Sequence, residues 1–119
     1  MNGLVVDFTT GLPRQKDSVW HQFSGSIDAL STHNLDEIPL SELRTLTYEL
    51  SFYGPLDTDV KSLSMKVQRV GADAVNQVFS RIGEMNILVN TVVVGSDLVL
   101  QAVNQENFEI EYCLTVLTM

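Results

Sequence analysis

The sequence predicts an α+β (α/β two-layer) fold, a mostly antiparallel sheet with helices over residues 57–83 packed on one face. Three observations predict it. Residues 46–52 and 108–114 alternate apolar and polar side chains, the pattern of strands with one covered face. Residues 57–83 place Val60, Leu63, Val67 and Val70, then Val75, Val78, Phe79 and Ile82, close to helical intervals. At 119 residues, the chain is long enough for one domain, 1–119, to bury a core without disulfides or metals.

Along the chain, LVVDF within residues 1–10 reads as a short strand and TGLP at 10–13 as a turn, since Pro13 holds its predecessor extended. Residues 17–31 support two readings. Val19, Phe23, Ile27 and Leu30 recur at helical spacing behind a cap at Asp17 or Ser18, whereas the Ser-Gly-Ser at 24–26 weakens a helix and leaves SVWHQF as an extended arm followed by a strand through IDALS. Residues 31–39, STHNLDEIP, read as a loop, or as the tip of a long hairpin arm near 19–40. In RTLTYELSFYG, a helix would leave Tyr48 and Phe52 off its apolar stripe. A strand places Leu46, Tyr48, Leu50 and Phe52 on one face, and Gly54-Pro55 ends it.

Beyond that turn, Asp57, Thr58 or Asp59 is available to cap a helix, with a strand over 63–67 as the competitor. Gly71 and Asp73 punctuate, and a second helical stretch closes at Gly83. NILVNTVVVG is a strand, GSD at 95–97 a turn, and DLVLQAV a short strand or edge segment. FEIEYCLTVLTM is the strongest strand, with Phe108, Ile110, Tyr112 and Leu114 on one face and Glu109, Glu111, Cys113 and Thr115 on the other.

Composition narrows function by exclusion. Fifteen acidic residues against seven basic ones give a formal charge of −8, and no Lys or Arg follows Arg81. A protein that grips nucleic acid needs the opposite balance. The N-terminus lacks a basic signal-peptide flank, and the longest apolar run is too short to cross a bilayer, so a soluble protein made in a reducing compartment is expected. No catalytic or cofactor pattern stands out. His21 and His33 lack a patterned acidic partner, and Asp57-x-Asp59 is explained by a turn or cap more simply than by a cation. Gly71 and Gly83 do not form a phosphate loop, and Cys113 has no histidine near it in sequence. The expectation is therefore a non-enzyme with no metal and no cofactor. Interface residues are the better candidates: Trp20, His21, Phe23, Ile27 and Leu35 in and around the ambiguous segment, and the carboxylate stripe Glu109 and Glu111.

TGLPRQKDSVW (10–20), RTLTYELSFYG (44–54), the helical stretch to Gly83 and NFEIEYCLTVL (107–117) together resemble the neck or tail terminator proteins of long-tailed bacteriophages. That resemblance implies a virion protein that closes the head-proximal end of a tail tube as a homo-oligomeric ring, a hexamer in the usual case. It implies the tail tube and neck or connector proteins as partners, and DNA passing a lumen lined by Glu109 and Glu111 without specific binding. Residues 19–38 would be the arm meeting a neighbour. Two alternatives fit the same composition. One is a dimeric acidic assembly or secretion chaperone; the other is a small-ligand domain with its pocket near Trp20, Tyr48 and Tyr112.

Overall fold

The computed structural model of the protein describes residues 19–118. The strand expected at LVVDF and the TGLP turn lie outside the described residues, as does the side chain of Trp20. Eight strands follow in order: β1 Val19–Ile27, β2 Thr32–Pro39, β3 Thr45–Tyr53, β4 Val60–Val70, β5 Asp73–Gly83, β6 Ile87–Val94, β7 Asp97–Asn104 and β8 Ile110–Thr118. A single 3-10 turn, Leu40–Glu42, interrupts them, and no α-helix occurs among the described residues. The strands form two antiparallel sheets, five-stranded in the order β1-β8-β3-β4-β5 and three-stranded in the order β2-β7-β6. The architecture is an all-β sandwich.

The expected α+β layering is therefore corrected. Residues 60–83 are a hairpin, with Val70 paired to Asp73 across Gly71-Ala72. Gly71 has φ +64, and a glycine at the first position of a two-residue loop is the type II′ signal, whose twist matches the flanking strands. The apolar residues at 60–70 also obey a period of two: Leu63, Met65 and Val67 are buried while their neighbours are not. The helical stripe was a coincidence of valines that favour pleated backbone. Gly83 does adopt a positive φ, but it ends a strand rather than a helix.

Of the two readings of 17–31, the extended one holds over 19–27, and the loop reading of 31–39 is corrected. Residues 19–27 are extended, and 32–39 form a strand rather than a loop. They do not make a projecting hairpin arm, because β1 pairs with β8 in one sheet and β2 with β7 in the other. DLVLQAV is the middle strand of its sheet rather than an edge. Leu98, Leu100 and Ala102 point to the core, and Val99 is buried as well, which accounts for its continuous apolar run.

The readings of 44–53, 86–95 and 108–119 as strands match β3, β6 and β8. β8 inserts between β1 and β3, so the first and last described strands are neighbours. Leu46, Tyr48, Leu50 and Phe52 of β3 interleave with Ile110, Leu114 and Val116 of β8 and with Leu63, Met65 and Val67 of β4 on the inner face. Polar staples tie the two sheets. The Tyr48 hydroxyl donates to Asp36 Oδ2 at 2.9 Å, and Lys61 Nζ donates to the carbonyls of Met85 and Ile87, each at 3.1 Å. Asn76 Nδ2 donates to Thr91 Oγ1 at 2.6 Å where the edge strands β5 and β6 meet. At the opposite end, Asn104, 1% exposed, donates to the carbonyls of Asp28 and Phe108 and accepts the Glu106 N–H.

The sheets differ in width by two strands. The larger one overhangs at β1 on one side and at β5 on the other, and of β1 beyond Trp20 only Ile27 is buried.

Candidate functional site

The β1 overhang creates the site. His21 and Phe23 sit two apart on one strand, hence on the same face. Their partners Val116 and Leu114 are buried, so that face is the inner one. No strand of the smaller sheet covers them there. Phe23 stays 43% exposed, and its ring stacks with that of His21 at a centroid distance of 6.3 Å and an interplanar angle of 22°. Leu46, Val116 and Thr118 complete the floor of a cleft of about 430 Å³. The wall comes from the end of β2 and the 3-10 turn, and presents Asp36, Glu37 and Glu42.

A bulge explains how a carboxylate enters this wall. Asn34 pairs with Gln101 and Asp36 with Leu100, leaving Leu35 as an extra residue. The added residue shifts the alternation, so Leu35 is buried and the next side chain also turns inward toward Tyr48. Burial pushes the Asp36 carboxyl above the ordinary carboxylate range, against the opposite pull of the Tyr48 hydroxyl, the Glu37 N–H and the nearby His21. The same burial, reinforced by the Asp36 charge, holds the Tyr48 phenol far above its usual range. Glu37 is fully exposed, and its carboxyl is raised by a hydrogen bond with Asp97 and by that neighbour's charge.

An apolar floor with a stacked ring pair and a rim of carboxylate acceptors suits a pyranose. The C–H face of a sugar lies on an aromatic ring, and its hydroxyls donate to carboxylates. The volume falls within the usual range of small-molecule sites, about 300–1,000 Å³.

The residues singled out from sequence are scattered by the fold. His21 and Phe23 come together in the cleft, whereas Ile27 and Leu35 are core residues, 1% and 7% exposed. Glu111 lies exposed on the outer face of the larger sheet opposite Ser26 and Tyr53, and Glu109 is exposed just ahead of β8. The backbone of Trp20 pairs with Leu117. Of the pocket imagined near Trp20, Tyr48 and Tyr112, Tyr48 and Tyr112 are buried against the core. Asp59 belongs to the β3–β4 turn, where its Oδ2 accepts the Leu56 N–H at 3.1 Å. Cys113 is an exposed thiol on the outer face. No group of three or more metal-ligating side chains occurs among the described residues. Asp36 and Glu37 were missed because their stretch, 31–39, reads as a polar loop, and Glu42 because it lies between that loop and the strand at 44–53. The signal that could have found them is Leu35 and Ile38 flanking the acidic pair, an apolar spacing broken by one residue, as at a bulge.

No protein-family model matches the chain, and no curated protein matches it. Solved structures do resemble it. The tailspike protein gp49 of Acinetobacter baumannii bacteriophage Fri1, described as a capsular polysaccharide depolymerase, matches 86% of this chain with a TM-score of 0.51 and 12% identity. The tailspike of Acinetobacter baumannii phage AM24 matches 84% at TM-score 0.49 and 8% identity, and that of Acinetobacter phage vB_ApiP_P1 matches 100% at 0.42 and 13%. The chain spans 18% of the gp49 chain and 26% and 24% of the other two. The likeness to gp49 is one of fold, that of a sandwich segment within a much longer protein.

One further expectation is corrected by this likeness. The lack of a catalytic motif suggested a non-enzyme, yet the fold occurs inside a protein described as a depolymerase, so a missing motif does not remove an enzymatic setting. These three structures are tailspikes rather than tail terminators. The helical stretch that carried part of the terminator resemblance is the β4–β5 hairpin.

Proposed function

We propose that the protein is a virion-associated phage tail protein, or a part of one, of the tailspike kind, whose sandwich holds bacterial surface polysaccharide in the cleft between β1 and β2. The observation that carries this reading is the cleft, where the stacked His21–Phe23 pair faces the acidic wall of Asp36, Glu37 and Glu42. The shared fold with gp49 supports the setting, and that protein's action on capsular polysaccharide supports the class of ligand. Within this reading the cleft residues bind and orient a sugar unit. Phe23 supplies the stacking face, and the exposed carboxylates Glu37 and Glu42 accept hydroxyl protons. Asp36, already engaged by Tyr48, sets the position of the β2 wall.

The test is retention of the full chain on a panel of immobilised bacterial capsular polysaccharides, with release of new reducing ends followed in parallel. At least one polysaccharide should retain the protein, and Phe23→Ala should weaken retention roughly tenfold or more, the loss of one stacking contact. Reducing ends released by wild type and not by the Phe23→Ala variant would add cleavage to binding. Equal behaviour of wild type and variant on every polysaccharide would end the proposal.

A further inference from the structure

The charge of the cleft says which sugars fit. Its wall presents three carboxylates, and among the described residues lining it there is neither lysine nor arginine. Among the described residues, Lys61, Lys66, Arg69 and Arg81 belong to the β4–β5 hairpin, on the far side of the larger sheet from β1, and Arg44, exposed between the 3-10 turn and β3, is not among the residues lining the cleft. Arg69 reaches toward the 3-10 turn. Its guanidinium is occupied there by the carbonyl of Leu40, at 3.0 Å, and by that of Gly71, at 2.8 Å. Lys61 is likewise turned to the carbonyls of Met85 and Ile87. His21 lies beside Asp36 in the cleft.

Given the proposed polysaccharide-binding role, on which this rests, we infer that the cleft selects uncharged or amino-bearing sugar units and turns away uronic acids and other anionic sugars. A carboxylate on the ligand would enter against the carboxylates of that wall, and among the described residues no lysine or arginine lines the cleft to pair with it. An ammonium would be drawn to the same wall, and a neutral pyranose needs only the ring face of Phe23 and carboxylate acceptors. Like charges separated by a sugar's width at a partly wetted surface disfavour binding by roughly tenfold or more. That preference shrinks with added salt, because Glu37 and Glu42 are exposed and screened.

The experiment uses the full chain on an array of neutral, amino-bearing and uronate-bearing bacterial oligosaccharides, at low and at high salt. Wild type should bind neutral or amino-bearing glycans at least about tenfold better than their uronate counterparts. The double variant Glu37→Gln, Glu42→Gln should narrow that ratio severalfold. Both side chains are exposed, so the amide replacements leave folding intact, which an unchanged thermal transition verifies. Uronates bound as well as neutral glycans, with a ratio indifferent to the double variant, would overturn the selectivity and leave polysaccharide binding standing. Wild type binding no glycan would overturn the polysaccharide reading itself, and this inference with it.

Discussion

The β4–β5 and β6–β7 hairpins close on nearly the same four residues, Val70-Gly71-Ala72-Asp73 and Val94-Gly95-Ser96-Asp97. In both, the valine pairs with the aspartate across a two-residue loop, and the glycine has φ +64 in one and +62 in the other. Both turns are tethered to the 3-10 turn at Leu40, which donates its N–H to the Ser96 carbonyl and accepts from Arg69 of the β4–β5 hairpin. Beyond the turns the two part company. β7 is the middle strand of its sheet and is buried along most of its length, whereas β5 is an edge strand with Val75, Phe79 and Ile82 exposed. Turn chemistry decides that a hairpin forms. The apolar content of its strands decides whether it becomes core or edge.

β5 is a long edge, and long edges invite unwanted pairing. It carries two guards. Phe79 is an extra residue against β4, between Ser80 opposite Ser64 and Val78 opposite Met65, and Arg81 stands opposite core-facing Leu63. A bulge and an inward charge both discourage a further strand from docking.

The largest expected effect separates the two hairpins by burial. Leu100, fully buried on β7, should cost about 3–5 kcal/mol when replaced by alanine, through lost burial and the cavity left behind. Phe79→Ala on β5, with that ring 58% exposed, should cost less than about 1 kcal/mol. Urea denaturation of the two variants measures the gap. Comparable losses would mean that the β5 face is covered in solution.

Next in size is the polar bracket at the end of β7. Asn104→Ala strands the carbonyls of Asp28 and Phe108 and the N–H of Glu106, and a loss of about 2–3 kcal/mol is expected. β5 has no equivalent. Asn76→Ala, which removes the exposed bond to Thr91, should cost below about 1 kcal/mol. A reversal of that order in denaturation midpoints would show that the β5–β6 contact, rather than the Asn104 bracket, holds the sandwich closed.

The matched turns also show what could be read from sequence and what could not. β3 and β8 were legible because their alternation is strict, and each buries one complete face. Gly95-Ser96 was legible as a turn because unmistakable strand residues precede it. Gly71-Ala72 carries the same information, yet the exposed β5 dilutes the alternation, and valines at 60, 67, 70, 75 and 78 fall near helical intervals. The partition of strands between sheets was not legible at all. β1 and β2 are joined by four residues but belong to different layers, and nothing local encodes that. The site followed the same rule. His21 and Phe23 could be named as residues needing a partner, whereas Asp36 depends on the Leu35 bulge and on Tyr48, twelve positions away.

Smaller and matched effects belong to the turn glycines. A Cβ at Gly71 or at Gly95 would meet no atom within 4 Å, so only backbone strain opposes alanine. Each Gly→Ala variant should lose about 1–2 kcal/mol, the cost of a left-handed L-residue. The two losses should agree within about 0.5 kcal/mol, whatever the burial of the strands beyond. A markedly larger loss at Gly95 would show that the tether from Leu40 to Ser96 makes the second turn stiffer than the first.

The smallest expected effect is in pH, and it lies on β2, which pairs with the buried hairpin. The folded state raises Asp36 above its ordinary value of 3.8, chiefly by burial, so at mildly acid pH the folded chain holds a proton that the unfolded chain has released. The sign follows. This contribution to stability is fully present below the ordinary value and is lost as pH rises through the raised one. Glu37, raised by its bond to Asp97, contributes in the same direction. Asp36→Asn keeps an oxygen to accept the Tyr48 hydroxyl and removes the titration. The variant should therefore lose part of the wild-type gain in stability between neutral and mildly acid pH, and at neutral pH it should be no less stable than wild type. Urea midpoints measured across that range for both proteins decide it. A variant less stable than wild type at neutral pH would mean that the ionised carboxylate, held by Tyr48 and His21, outweighs its own desolvation. The wall of the cleft would then be maintained by charge, whereas the core strand β7 beside it is held by apolar burial.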